Sequence, residues 1–212
     1  MKKNFYFAIS LLLAFALWTT AICFINVQPI GPGGSCVGFA TVNSWFHRLT
    51  GTHMTLYHIT DWLGLVPVAF GFGFAIMGLA QWIKRKHILK VDFSILVLGG
   101  FYIVTLAAYL LFEKCVINYR PVLIDGFLEA SYPSSTTLLV LCVMPTAMLQ
   151  FHQHIRSRAL RNCVLCIIGI FMIFMVLGRL LSGVHWITDI VGGILLSSGL
   201  VALYYAILNP KK

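Results

Sequence analysis

Six long apolar runs, separated by short polar or basic segments, constrain this chain more than any other feature. They lie at residues 5–27, 62–82, 93–112, 134–151, 162–178 and 190–208. Inside a bilayer the backbone must satisfy its own hydrogen bonds, so runs of about 20 apolar residues have one simple solution, the membrane-spanning helix. With 59% hydrophobic and 10% charged residues over 212 positions, the composition excludes an ordinary soluble domain. The expected fold is all-α: a polytopic membrane helical bundle of six spans, forming one domain over residues 1–212. A cleaved leader is the rival reading of the first run. The length of that run and the lack of a clear Ala-x-Ala site favour a span.

Between the first two runs, Gly31-Pro32-Gly33-Gly34 reads as a turn-rich loop. Phe39, Val42, Trp45, Phe46 and Leu49 then recur at helical spacing, which predicts a short interfacial helix between spans one and two. Asp61 is expected to precede the second span. The six cysteines show no metal spacing outside apolar runs, Cys163 and Cys166 falling within one, and most read as small buried hydrophobes; a Cys36–Cys115 bridge is not expected.

Lys and Arg set the orientation. One side of the six-span plan holds two at the N-terminus, four at 84–90, three at 156–161 and two at the C-terminus, eleven in all. The other side holds four: Arg48, Lys114, Arg120 and Arg179. By the positive-inside rule the first side is cytoplasmic, with both termini there. The net charge of +9 is thereby accounted for by topology, and nucleic acid is not an implied partner.

The outer side is nearly bare of positive charge except where other reactive residues gather. Arg179, His185 and Asp189 stand in an apolar stretch, where ionisable residues point to function by default. His185 and Asp189 are four apart, so on a helix the carboxylate can accept a hydrogen bond from the imidazole and leave its other nitrogen free to attack. Ser182-Gly183 can turn the chain so that the Arg179 guanidinium holds an anion over the ring. The competing reading is a snorkelling Arg, a wedged His and a helix-capping Asp. Upstream, Lys114 and Arg120-Pro121 follow the third span, and Pro133-Ser134-Ser135-Thr136-Thr137 opens the fourth. A helix start of that kind offers N–H groups and hydroxyls suited to phosphate, although plain capping explains it too.

These three blocks, in this order, resemble the signature of the type-2 phosphatidic acid phosphatase superfamily, whose members include integral membrane lipid phosphatases and vanadium haloperoxidase-like proteins. The family pattern is Lys, six residues, Arg-Pro; then Pro-Ser-x-His; then Ser-Arg, five residues, His, three residues, Asp. Arg179, His185 and Asp189 match the third block in identity and spacing, with Gly178 in place of its Ser. Arg120-Pro121 matches the end of the first block and Pro133-Ser134 the start of the second.

The resemblance implies a catalytic set of His185 as nucleophile, Asp189 as its orienter and residue 136 as general acid. It implies phosphate binding by Arg120, Arg179, Ser134 and Ser135, with Lys114 as a further candidate. It also implies no metal and no cofactor and a lipid phosphate or diphosphate as partner within the bilayer; the expected location is a bacterial plasma membrane, with the site facing outward by the charge count. There are two departures. Five residues separate Lys114 from Arg120, so Glu113 occupies the position of the signature Lys. Thr136 stands where the family has the His that protonates the leaving group, and a Thr hydroxyl has no useful proton at neutral pH.

The expected activity is removal of a phosphoryl group from a lipid phosphate or diphosphate through a phosphohistidine, impaired by Thr136. A polyprenyl diphosphate is favoured, because its leaving group departs as a phosphate without help. The alternatives are a lipid phosphotransferase and a catalytically inactive protein that binds or translocates lipid phosphates.

Overall fold

Two helices carry the interior. In the computed structural model, which describes residues 2–209, eight helices follow in order: α1 (Lys2–Phe24), α2 (Ala40–Thr50), α3 (Met54–Leu63), α4 (Leu65–Arg85), α5 (Phe93–Lys114), α6 (Ser135–His154), α7 (Arg158–Leu181) and α8 (Ile187–Leu208). Six spans are long and apolar enough to cross a membrane, with α3 and α4 running together as one, Met54–Arg85. About half of the apolar stretch of α6 and of α8 is buried, 56% and 50%, against 22% or less in the other four spans. These two are therefore the central helices, and the others pack around them.

The main core joins Phe15 and Ile22 of α1, Leu98 and Phe101 of α5, Leu138 and Cys142 of α6, and Leu196, Leu200 and Tyr204 of α8. Within lipid, dispersion and close approach hold helices together in place of hydrophobic exclusion of water, so small residues appear where backbones meet. Gly192 of α8 shows the need: a Cβ there would stand 2.4 Å from the Tyr132 ring. Polar side chains inside the bundle pair with one another, as Gln150 Nε2 donates to Tyr204 Oη at 2.8 Å.

Several boundaries differ from the sequence reading. The second span begins at Met54 rather than residue 62, and Asp61 lies inside the helix. Gly64, at φ −60° and ψ −18°, keeps α3 and α4 on a nearly helical path, and Asp61 tolerates the position because it faces a guanidinium. The predicted interfacial helix forms as α2, but Phe39 caps it with φ 48° instead of joining it, and stacks on Trp18 at 5.2 Å. Val42, Trp45 and Leu49 are its exposed face.

Only Cys142 is buried; the other five cysteines are exposed and all six are free. A membrane bundle turns apolar residues outward as well as inward, so an apolar run does not bury its cysteines. Lys211 and Lys212, counted above as cytoplasmic, lie outside the described residues.

Candidate active site

The loop between α5 and α6 does more than connect. Asp125 and Gly126 both adopt positive φ, 49° and 83°, the conformation that a two-residue hairpin turn requires and that Asp-Gly tolerates. Tyr119 bridges Ala130 and Ile124 bridges Phe127, so the chain doubles back as a short ladder. The Arg120 N–H donates to the Glu129 carbonyl at 3.0 Å, and the Ser131 N–H to the Asn118 carbonyl at 2.9 Å. Side chains alternate along extended backbone, so Asn118 with Arg120, and Glu129 with Ser131, share a face. That face meets the start of α8.

His185 lies just before α8, outside the helix, and is 3% exposed. Its turn is fixed from both sides. Gly183 has φ 68°, and a Cβ there would meet the Gly51 carbonyl oxygen at 1.9 Å, so only glycine fits. The Ser182 carbonyl accepts from the His53 N–H at 2.8 Å. Asp189 was expected to accept directly from the imidazole, but Nδ1 is 4.0 Å from Oδ2. Ser131 stands between them. Its carbonyl lies 3.1 Å from Nδ1, its hydroxyl also lies 3.1 Å from Nδ1, and that hydroxyl donates to Asp189 Oδ2. A carbonyl can only accept, so Nδ1 carries the proton and Nε2 keeps its lone pair.

Asp189 accepts from three donors: Ser131 Oγ, Asn118 Nδ2 at 3.2 Å and the Trp186 backbone N–H at 2.9 Å. The last bond caps α8, so the capping reading is realised alongside the site. The Ser134 N–H also donates to the Asp189 carbonyl at 3.1 Å, which ties the start of α6 to the first turn of α8.

On the Nε2 side stands Arg120, with its Nη1 3.5 Å from the ring nitrogen. Arg120 is 7% exposed, and its Nε is 3.0 Å from Glu129 Oε2, an ion-pair distance without hydrogen-bond alignment. Arg179, 2% exposed in the last turn of α7, reaches α3: Asp61 at 3.4 Å, Thr60 Oγ1 at 3.3 Å and the Tyr57 carbonyl at 3.4 Å. Both guanidiniums lie on the Tyr57 ring, at 4.9 Å for Arg179 and 5.8 Å for Arg120. Burial, and then the positive charges of Arg120 and Arg179, hold the His185 imidazole well below its ordinary pKa, so it is neutral at neutral pH.

The Nε atoms of Arg120 and Arg179 and the Ser134 hydroxyl are buried without a hydrogen-bond partner. Each such group costs about 1–3 kcal/mol, which asks for a reason. Ser134 precedes α6 without a side-chain capping bond, and the first turn of α6 carries N–H groups that a helix start leaves free. Arg120 thus stands beside Nε2 and Arg179 shares the Tyr57 ring with it, which brings two positive charges near the imidazole.

Ser135 is half-buried and borders a cleft shared with Glu113, Ser131 and Pro133. Thr136 is buried with its methyl toward Gly64, which supplies no acid. Lys114 is exposed at the end of α5 and makes no ion pair among the described residues. The helical phase already separated it from Arg120, and Glu113 faces the cleft in its place. Sequence reasoning missed Asn118, Ser131, Tyr57, Thr60 and Glu129. The Asp125-Gly126 pair was the available signal for the ladder, and Asp61 in an apolar context was the signal for a cation partner.

No curated protein matches the chain in sequence. Residues 109–212 match the model of the PAP2 superfamily. Among solved structures the chain is similar to the crystal structure of the first transmembrane PAP2 type phosphatidylglycerolphosphate phosphatase from Bacillus subtilis. The TM-score is 0.64 at 19% identity, with 97% of each chain covered, a likeness of fold. The segment that matches the PAP2 superfamily is the one that carries the Arg120-Pro121 pair, the Pro133-Ser134 helix start and the Arg179, His185, Asp189 block.

Proposed function

We propose that this chain is an integral membrane lipid phosphatase that works through a phosphohistidine at His185, on the outer side of the membrane. The observation that supports the reading most is the neutral imidazole with Nδ1–H given to Ser131, its Nε2 lone pair turned toward Arg120 and buried donors without partners. Phosphoryl transfer needs in-line placement and charge neutralisation above all. Nε2 attacks phosphorus, the phosphorus–oxygen bond to the lipid breaks, and Asp189 acting through Ser131 steadies the imidazolium that forms. Arg120, Arg179, Ser134 and the first turn of α6, with Ser135, hold the phosphate oxygens as their charge redistributes. Water then attacks the phosphohistidine and releases phosphate.

Thr136 cannot protonate a leaving alkoxide, and general acid catalysis commonly contributes about 10²–10⁴ in rate. The proposed substrate is therefore a lipid diphosphate such as a polyprenyl diphosphate, whose leaving group is a phosphate. Phosphate release from polyprenyl diphosphate and phosphatidic acid, in detergent, is the test, run on this chain, its Thr136→His variant and His185→Ala in the Thr136→His background. The diphosphate is expected to be the faster substrate for the unmodified chain, Thr136→His to narrow the gap, and His185→Ala to abolish turnover without unfolding. Equal or inverted substrate rates remove the diphosphate assignment, and turnover in the His185 variant removes the nucleophile. Thr136 also supports a second reading, a lipid-phosphate binder without turnover, which predicts binding of either lipid with release at background.

A further inference from the structure

We infer that Tyr57 of α3 is the proton donor that stands in for the missing imidazole at position 136. The inference rests on the phosphatase reading and names the acid of that same site. Tyr57 lies outside all three signature blocks. It is 8% exposed and packs against Val184, next to the nucleophile, and against Ile124 of the ladder. Its ring carries both site guanidiniums, at 4.9 and 5.8 Å.

The position follows from helical spacing. Tyr57, Thr60 and Gly64 recur at three and seven residues, so they share the face of α3 that looks into the bundle. Thr60 meets Arg179 and Gly178, and Gly64 meets Thr136. One helix face thereby runs from the two arginines to the residue at the family's acid position.

The chemistry of the group fits. The Tyr57 carbonyl accepts from Arg179 and Thr60, but its hydroxyl makes no hydrogen bond among the described residues. A phenol has an ordinary pKa of about 10, so it carries its proton at neutral pH, whereas a Thr hydroxyl does not release one. As Nε2 of His185 bonds to phosphorus and the lipid oxygen leaves with the electron pair, Tyr57 Oη–H gives that oxygen its proton. The phenolate, whose ring carries two guanidiniums, then takes a proton from the water that attacks the phosphohistidine, and the phenol is restored. The same guanidiniums that hold the phosphate steady the phenolate between these steps. A phenol is a weaker acid than an imidazolium, so diphosphates remain the better substrates.

The test is a cycle of variants with Tyr57→Phe, which keeps the ring and its cation contacts. Turnover of phosphatidic acid and of polyprenyl diphosphate is measured in this chain, Tyr57→Phe, Thr136→His and the double variant. Tyr57→Phe is expected to lower kcat on phosphatidic acid by about 10²-fold with little change in KM, and to leave the diphosphate nearly untouched. In the Thr136→His background the same change is expected to cost little, because the introduced imidazole then gives the proton. Equal losses on both substrates, or the same loss in both backgrounds, overturn the donor role in favour of packing. No loss on phosphatidic acid overturns it as well. A silent chain revived by Thr136→His removes Tyr57 and leaves the phosphatase reading standing. Silence of both, with folding intact, removes the phosphatase reading and this inference with it.

Discussion

On the Nδ1 side of His185, Ser131 serves the ring and the carboxylate, and Asn118 and Trp186 complete the shell of Asp189. On the Nε2 side stands Arg120, its Nε buried without an aligned acceptor, and Arg179, which shares the Tyr57 ring with it, has its own Nε likewise unpartnered. The two sides face each other across one imidazole. Saturated hydrogen bonds hold a ring and its tautomer in place, and they stabilise the fold as they do so. Buried donors without acceptors oppose folding by about 1–3 kcal/mol each and support the proposed binding role. Substitutions on the two sides should therefore separate activity from stability.

The largest expected effect is on the unpartnered side. Arg179→Lys loses the planar fork and should lower kcat/KM for a lipid diphosphate by about 10²-fold, whereas Ser134→Ala, which removes a buried hydroxyl without a partner, should keep thermal stability in detergent. Unchanged kcat/KM breaks the comparison. On the saturated side, Ser131→Ala removes the link between ring and carboxylate. It should cost about tenfold in kcat, as for one lost hydrogen bond, and should also lower stability. A Ser131 variant as stable as the unmodified chain means that the saturated side does not support the fold.

The smallest effect concerns pH. Burial and the two guanidiniums hold the His185 pKa well below 6.5, so kcat/KM should stay level as pH falls through 6.5 and decline only below it. A decline centred at or above 6.5 contradicts the electrostatics. Stability carries the same sign: below pH 6.5 the unfolded imidazole takes up a proton that the folded one refuses, so folding weakens as acidity rises.

The six spans were readable because bilayer thickness writes itself into run length, and charge asymmetry gave an orientation to propose. The signature block carried His185, Asp189 and Arg179 by spacing alone. What the sequence did not reveal depends on contacts between distant segments. Ser131 is a plain loop serine until an Asp-Gly turn folds the loop back and aims it at residue 185. Tyr57 and Thr60 look like interior residues of an apolar run until α3 is seen to begin at Met54 and lie against Arg179. The direct His185–Asp189 bond was expected on helical geometry, and it failed because the helix starts after His185.

Asp189 closes the first turn of α8 as well as anchoring Ser131. A descendant of this chain that had abandoned chemistry altogether would still need that carboxylate to build its sixth span. An aspartate at this place in a related genome is thus poor testimony that an enzyme is alive.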